Sequence, residues 1–195
     1  DPSDDRMSAT TFSGLKLRNI GPALMSGRIA DIAIHPEDDN LWYVGVGSGG
    51  VWKTTNTGIT WEAVFDTAGS YSIGCVTIDP NDPLTVWVGT GETQPRHSGY
   101  SYSGTGVFKS IDGGATWHNA GLTDTHHIGK VLIHPTDPEV VYVAAVGDLW
   151  AANPERGVYR TRDGGSSWEQ VMTGTVQSIA LSSAFAVDET LFAAT

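Results

Sequence analysis

The chain has 195 residues, including 24 Gly, 9 Pro and 7 Trp, a composition suited to many short strands joined by tight turns around a sizeable core. Its formal charge of −11, from 22 acidic against 11 basic residues, speaks against nucleic acid and anionic membrane surfaces as partners, since both need a basic footprint. A single cysteine, Cys75, excludes an internal disulfide and a thiolate metal cage, and no run approaches the roughly 18 apolar residues of a membrane-spanning helix.

The first stretch, DPSDDRMSAT, is polar and lacks an initiator Met, which reads as a processed form or a piece of something longer, with residues 1–11 as a disordered tail. Leu15 to Asn19 then reads as a lone strand. From there the chain repeats itself. A first strand, Ile29 to His35, recurs as Ile73 to Asp79 and Ile128 to His134, and each copy is stopped by Pro36, Pro80 or Pro135. A second, β-branched and aromatic strand follows at Leu41 to Val46, Val86 to Thr90 and Val140 to Ala145. The third strand opens the most closely repeated stretch: GVWKTTNTGITW at 50–61, GVFKSIDGGATW at 106–117 and GVYRTRDGGSSW at 157–168. A fourth strand leaves each Trp, as Trp61 to Phe65, Trp117 to Ala120 and Trp168 to Met172.

In each copy Asn56, Asp112 or Asp163 can accept from nearby backbone N–H groups, a Gly allows positive φ, and Trp61, Trp117 or Trp168 drops a large ring into the core. These six residues are therefore expected to be structural. Four antiparallel strands recurring at intervals of 56 and 51 residues, counted between the Trp residues, predict an all-β fold of β-propeller blades. The expected organisation of 12–195 is a partial propeller: complete blades at about 28–66, 72–121 and 127–173, a half-blade at 175–195, and the N-terminal strand. No helix is predicted. An open array leaves apolar blade faces uncovered, so further blades of one propeller, or a homo-oligomer such as a two-fold dimer, are expected to cover them.

The shared turn S/T-x-D/N-x-G-x-S/T-W resembles the Asp-box, or BNR repeat, of sialidases, family 74 glycoside hydrolases, the sortilin luminal domain and the photosystem II assembly factor propeller. Over Phe12 to Met172 the segments FSGLKLRNIGP, SGRIADIAIHP, SGGVWKTTN, GSYSIGCVTIDP, VWVGTGE and RGVYRTRDGG resemble the N-terminal blades of large secreted bacterial propellers of the sortilin-like or glycosyl-hydrolase-like type. That resemblance implies a secreted or periplasmic location. In family 74 it also implies a catalytic Asp in a T-D-x-G-G turn, where this chain has Val46-Gly47-Ser48-Gly49-Gly50, with Gly47 at the Asp position. The family's second carboxylate would come from blades beyond this chain. Sialidases need three arginines and a Tyr–Glu pair, and the seven arginines here do not assemble such a set.

The candidate ligand-binding residues lie in the unrepeated loops of the opposite rim. Gly91 to Thr105 carries Glu92, Arg96, His97, Tyr100 and Tyr102, and Gly147 to Arg156 carries Asp148, Trp150, Glu155 and Arg156. Their mix of aromatic faces and directional polar groups suits a protein, peptide or glycan ligand. His126 and His127 lie just before a strand. His127 joins the ligand-binding candidates, but no metal is expected, because neighbouring strand side chains point to opposite faces. A general acid–base pair could be drawn from Asp31, Glu92, Asp148 and Glu155, and spacing alone does not choose among them. The resulting reading is a non-catalytic, cofactor-free binding and assembly module. The alternative is a fragment of a family 74-type glycoside hydrolase acting on β-glucan or xyloglucan.

Overall fold

The computed structural model describes residues 27–93 and 101–195. The expected disordered tail and the lone strand at Leu15 to Asn19 lie outside the described residues, as do Arg96, His97 and Tyr100. Three four-stranded antiparallel sheets follow one another, each ordered as the chain runs. Sheet 1 is β1 (Ile29–Ile34), β2 (Trp42–Val46), β3 (Gly50–Thr54) and β4 (Glu62–Ala63). Sheet 2 is β5 (Ile73–Ile78), β6 (Val86–Thr90), β7 (Val107–Ser110) and β8 (His118–Asn119). Sheet 3 is β9 (Ile128–Ile133), β10 (Val141–Ala145), β11 (Gly157–Thr161) and β12 (Glu169–Thr173), and a two-stranded sheet of β13 (Ser178–Leu181) and β14 (Leu191–Ala194) comes last. The first strands lie side by side, β1 against β5, β5 against β9 and β9 against β13, so the sheets stack around a common inner edge.

The cores lie between the sheets. Tyr43, Val51 and Phe65 of the first unit pack on Ile73, Val76 and Val88 of the second, and Trp87 and Val107 of the second share a core with Val131 and Val143 of the third. This is why the second strands read as continuous apolar runs: β6 is buried at every position because a sheet covers each of its faces. β1 is the counterexample. Ile29, Ile32 and Ile34 are each about half exposed, since among the described residues no sheet packs on their side.

The repeated turn is built as its residue types dictate. The Ser110 hydroxyl donates to Asp112 Oδ1 (2.8 Å) and accepts from Gly114 N (2.8 Å), while Asp112 accepts from Thr116 N (2.8 Å) and Thr116 Oγ1 (2.6 Å). Asp163 repeats this with Thr161, Gly165 and Ser167. In sheet 1 Asn56 accepts from Thr60 N (2.9 Å) but donates its amide to Thr60 Oγ1 (2.8 Å), reversing one bond without changing the turn. These bonds hold Asp112 and Asp163 down to a pKa of about 2, the largest single cause being the hydroxyl donated by Thr116 or Ser167. Their folded pKa values are depressed, so the stabilisation is complete above the ordinary value of 3.8 and is lost as pH falls through about 2. Asp112→Asn with Asp163→Asn is expected to keep the fold, as Asn56 does, and to flatten the dependence of stability on pH across that window. Denaturant melts at stepped pH check this, and an unchanged slope would count against the carboxylates.

The turn also does more than the sequence reading gave it, because its Trp and its Gly carbonyl reach the preceding sheet. Trp117 Nε1 donates to Val64 O (2.7 Å) and Trp168 Nε1 to Ala120 O (2.7 Å). Tyr43 Oη and Lys53 Nζ both donate to Gly113 O (2.8 Å each), and Lys109 Nζ donates to Gly164 O (3.2 Å). Each later turn is thus a clasp between sheets. Two short helical turns, a 3-10 turn at Thr123–Thr125 and α1 (Phe185–Asp188), correct the expectation of no helix. Phe185 of α1 packs edge-on against His134 and Tyr142, at ring centroid distances of 5.3 and 5.9 Å.

Candidate functional site: a cleft and a polar relay on the loop rim

In each sheet the connection from second to third strand and the connection to the next sheet emerge at one end, and the Asp or Asn turns emerge at the other. The turn residues therefore stand away from the long loops, as their structural role requires. On the loop rim, sheets 1 and 2 enclose a cleft of about 440 Å³. Tyr71 and Tyr102 line it and are 60% and 66% exposed, with Ser48, Asp66, Ser70 and Ser103 as polar neighbours. Tyr102 was a sequence candidate. Tyr71 was missed, because it follows the short connection TAGS with no motif around it.

Towards the inner edge the rim becomes charged. Glu92 is buried, and its carboxylate pairs with the Arg28 guanidinium of sheet 1. Gly47, the position of the catalytic Asp in the family 74 resemblance, is what admits it: a β-carbon there would collide with the Glu92 carboxylate. The Glu92 backbone N–H donates to Ser72 Oγ (2.8 Å), which in turn donates to Tyr102 O (2.7 Å). Ser101 Oγ donates to Glu92 O (2.6 Å) and stands 3.3 Å from His127 Nε2, whose other ring nitrogen, Nδ1, is 2.8 Å from Gly147 O. Burial pushes the His127 imidazole below its ordinary pKa of 6.5, against the opposing effect of the Gly147 carbonyl bond.

The two histidines do not diverge as strand alternation predicted. His126 has φ 57 at the end of the 3-10 turn, outside β9, and its ring lies nearly parallel to that of His127, with centroids 6.5 Å apart. Among the described residues no three His, Cys, Asp or Glu side chains come together as a metal site.

The remaining candidates scatter. Asp148 accepts from Trp150 N (2.8 Å), which holds its carboxyl below the usual range. Trp150 is 63% exposed. Arg156 turns inward on its own loop, donating to Asp148 O, to Ala151 O (2.8 Å) and to Asn153 Oδ1 (3.1 Å), and across to Thr175 Oγ1 (3.1 Å), so it staples the loop rather than facing outward. Glu155 is half-buried, and its backbone carbonyl accepts from Tyr159 Oη (3.0 Å). Asp31 is remote from all of these: on β1 it accepts from Lys130 Nζ and Val76 N (3.3 Å each), tying three first strands together.

No protein-family profile matches the chain. It is similar to a xyloglucanase of Hypocrea jecorina (strain QM6a), 24% identical over 165 residues, which cover 76% of this chain and 18% of that protein. Among solved structures it resembles an ancestral GH74 enzyme with a TM-score of 0.65 and 21% identity, over 84% of this chain and 21% of the other. YCF48 bound to D1 peptide superposes with a TM-score of 0.54 at 16% identity, over 82% of this chain and 47% of that one. The GH74 xyloglucanase of Xanthomonas campestris gives 0.53 at 20% identity, over 74% and 21%. The sheets are β-propeller blades. At these identities the likeness establishes the fold and no more, and the chain spans about a fifth of the length of the xyloglucanase relatives.

Proposed function

We propose that the chain is the ligand-binding part of an Asp-box β-propeller of the secreted type, taking a glycan chain across its rim at the Tyr71–Tyr102 cleft. The observation that carries this reading is the cleft itself: two exposed phenol rings beside serine hydroxyls and one carboxylate, Asp66. Ring faces stack on the apolar faces of sugars, hydroxyls match sugar hydroxyls, and a lining that has no cation among the described residues suits a neutral polymer. Similarity to a xyloglucanase supports the glycan class, and YCF48 bound to D1 peptide supports peptide as the competing occupant. The half-exposed Ile29, Ile32 and Ile34 support assembly at the β1 flank with a further blade or a second copy, which sedimentation of the pure chain would reveal.

Titration with xyloglucan oligosaccharides is expected to show saturable binding that Tyr71→Ala and Tyr102→Ala each weaken roughly tenfold or more, with melting unchanged. Absent binding, or binding indifferent to both substitutions, would remove the glycan reading.

The second reading, β-glucan hydrolysis, is favoured by one observation: the Glu92 carboxylate fills the space at Gly47. Its burial against Arg28 and the capping role of Asp148 speak against an acid–base pair. Turnover that Glu92→Gln or Asp148→Asn abolishes would establish hydrolysis instead.

A further inference from the structure

Most aspartates described in this chain are engaged by their own turn or by a cation. Asp112 accepts from Thr116 N, Asp148 from Trp150 N, Asp163 from Ser167 N and Asp188 from Thr190 N. Asp66 departs from that habit. Its turn, between β4 and β5, is closed by Ala68 N donating to Phe65 O (3.1 Å), and among the described residues the exposed Asp66 carboxylate has neither a hydrogen-bond donor nor a cation beside it. It lines the cleft instead. Its Oδ1 would stand 3.6 Å from a β-carbon at Gly50, whose N–H donates to Tyr71 O (3.0 Å), so the carboxylate and the Tyr71 backbone meet at the same glycine. The facing wall is anchored as well, because Ser72 Oγ donates to Tyr102 O (2.7 Å) and Gly104 N to His126 O (2.6 Å). The cleft thus presents two exposed rings and one uncommitted negative charge, with no Lys, Arg or His in its described lining.

We propose that Asp66 makes the cleft selective for charge, so that it takes a glycan bearing protonated amino groups in preference to a neutral one and rejects a glycan bearing carboxylates. The inference rests on the glycan reading of the cleft and names the class of sugar that fits it best. A sugar stacked on a tyrosine face carries its substituents at the ring edge, where an ammonium meets the Asp66 carboxylate and the negative faces of the rings together. A hydroxyl in the same place gains only the weaker hydrogen bond of a neutral donor. A uronate there faces a like charge, with no cation in the described lining to offset it.

The test is calorimetric titration at low salt and mildly acidic pH, where the sugar amine is protonated, with β-1,4-linked hexamers of glucosamine, N-acetylglucosamine, glucose and glucuronate. The glucosamine hexamer is expected to bind about fivefold to tenfold more tightly than the acetylated and glucose hexamers, with the glucuronate hexamer weakest. The advantage should shrink in about 0.5 M salt. Asp66→Asn is expected to bring the ratio of glucosamine to glucose affinity to about one. Asp39→Asn removes the same charge from the β1–β2 connection at the opposite end, and so controls for the net charge of −11; the ratio should survive it. Equal affinities for the glucosamine and glucose hexamers in the wild-type chain, an advantage that persists in Asp66→Asn, or one lost equally in Asp39→Asn would overturn the charge selection. Binding of xyloglucan oligosaccharides would then leave the glycan reading standing, whereas a chain that binds none of these oligosaccharides fails both.

Discussion

Trp117→Ala is expected to destabilise the chain by about 3–5 kcal/mol, the range for truncating a large aromatic in a packed core. The ring lies edge-on to Phe65, with centroids 5.0 Å apart, and its N–H satisfies the Val64 carbonyl of the neighbouring blade. Truncation therefore leaves both a cavity and an unpaired acceptor, and it does so between blades, where cooperativity is carried. Trp61 holds the same place in the repeat but contacts Trp42 of its own blade at 6.5 Å, with no preceding blade described on its side. Trp61→Ala is expected to cost only about 1 kcal/mol. Urea denaturation of both variants checks the contrast. Equal losses would mean that the turn stabilises its own blade alone and does not clasp two together.

Gly74→Ala is expected to cost about 3 kcal/mol or more, the upper end for overpacking, because the obstruction is backbone. A β-carbon at 74 would run into the Ile128 carbonyl oxygen of the next blade, and one at Gly129 would meet the Gln177 carbonyl in the same way. Neither carbonyl can turn aside as a side chain would, since each belongs to the closely stacked inner edge. Gly69→Ala is the control: Gly69, unlike Gly74, has a left-handed backbone with φ 97 that strains an ordinary side chain, but a β-carbon there meets nothing within 4 Å. Its cost should stay near the roughly 1–2 kcal/mol of a left-handed alanine. Thermal melts rank the two. A Gly74→Ala chain as stable as Gly69→Ala would show that the blades can separate slightly without penalty.

The strands and the repeated turn were legible because their causes are local. Alternating or continuous apolar runs bounded by Pro36, Pro80 and Pro135 give β1, β5 and β9, and the spacing from Asp112 to Thr116 lets the carboxylate reach its own backbone. Alternation failed at His126, where a left-handed residue at the end of a 3-10 turn redirects the ring, and nothing in DTHHIG signals that turn strongly. The helical turn at Phe185 was likewise too short to carry a period.

The candidate site was half legible. Long loops with aromatic and charged residues pointed to the rim and to Tyr102 and Glu92, and His127 was a candidate from its place just before β9. Tyr71 could not be found, since its only significance is its position across a cleft from Tyr102, 31 residues away and in another blade's connection. Arg156 looked like an outward ligand contact but is engaged by its own loop's carbonyls, which no composition reveals.

By itself, then, the sequence determined the strand inventory, the period, the turn chemistry and hence the propeller blades, because each rests on hydrogen bonds and side-chain alternation within a few residues. Only the tertiary structure decided which carbonyl each Trp would meet, that Glu92 would occupy the space at Gly47 and bind Arg28, that Asp31 and Lys130 would join first and third blades, and that two tyrosines would face one cleft. Those contacts depend on the accumulated twist and stacking of whole sheets, which sets distances between residues that share no local pattern.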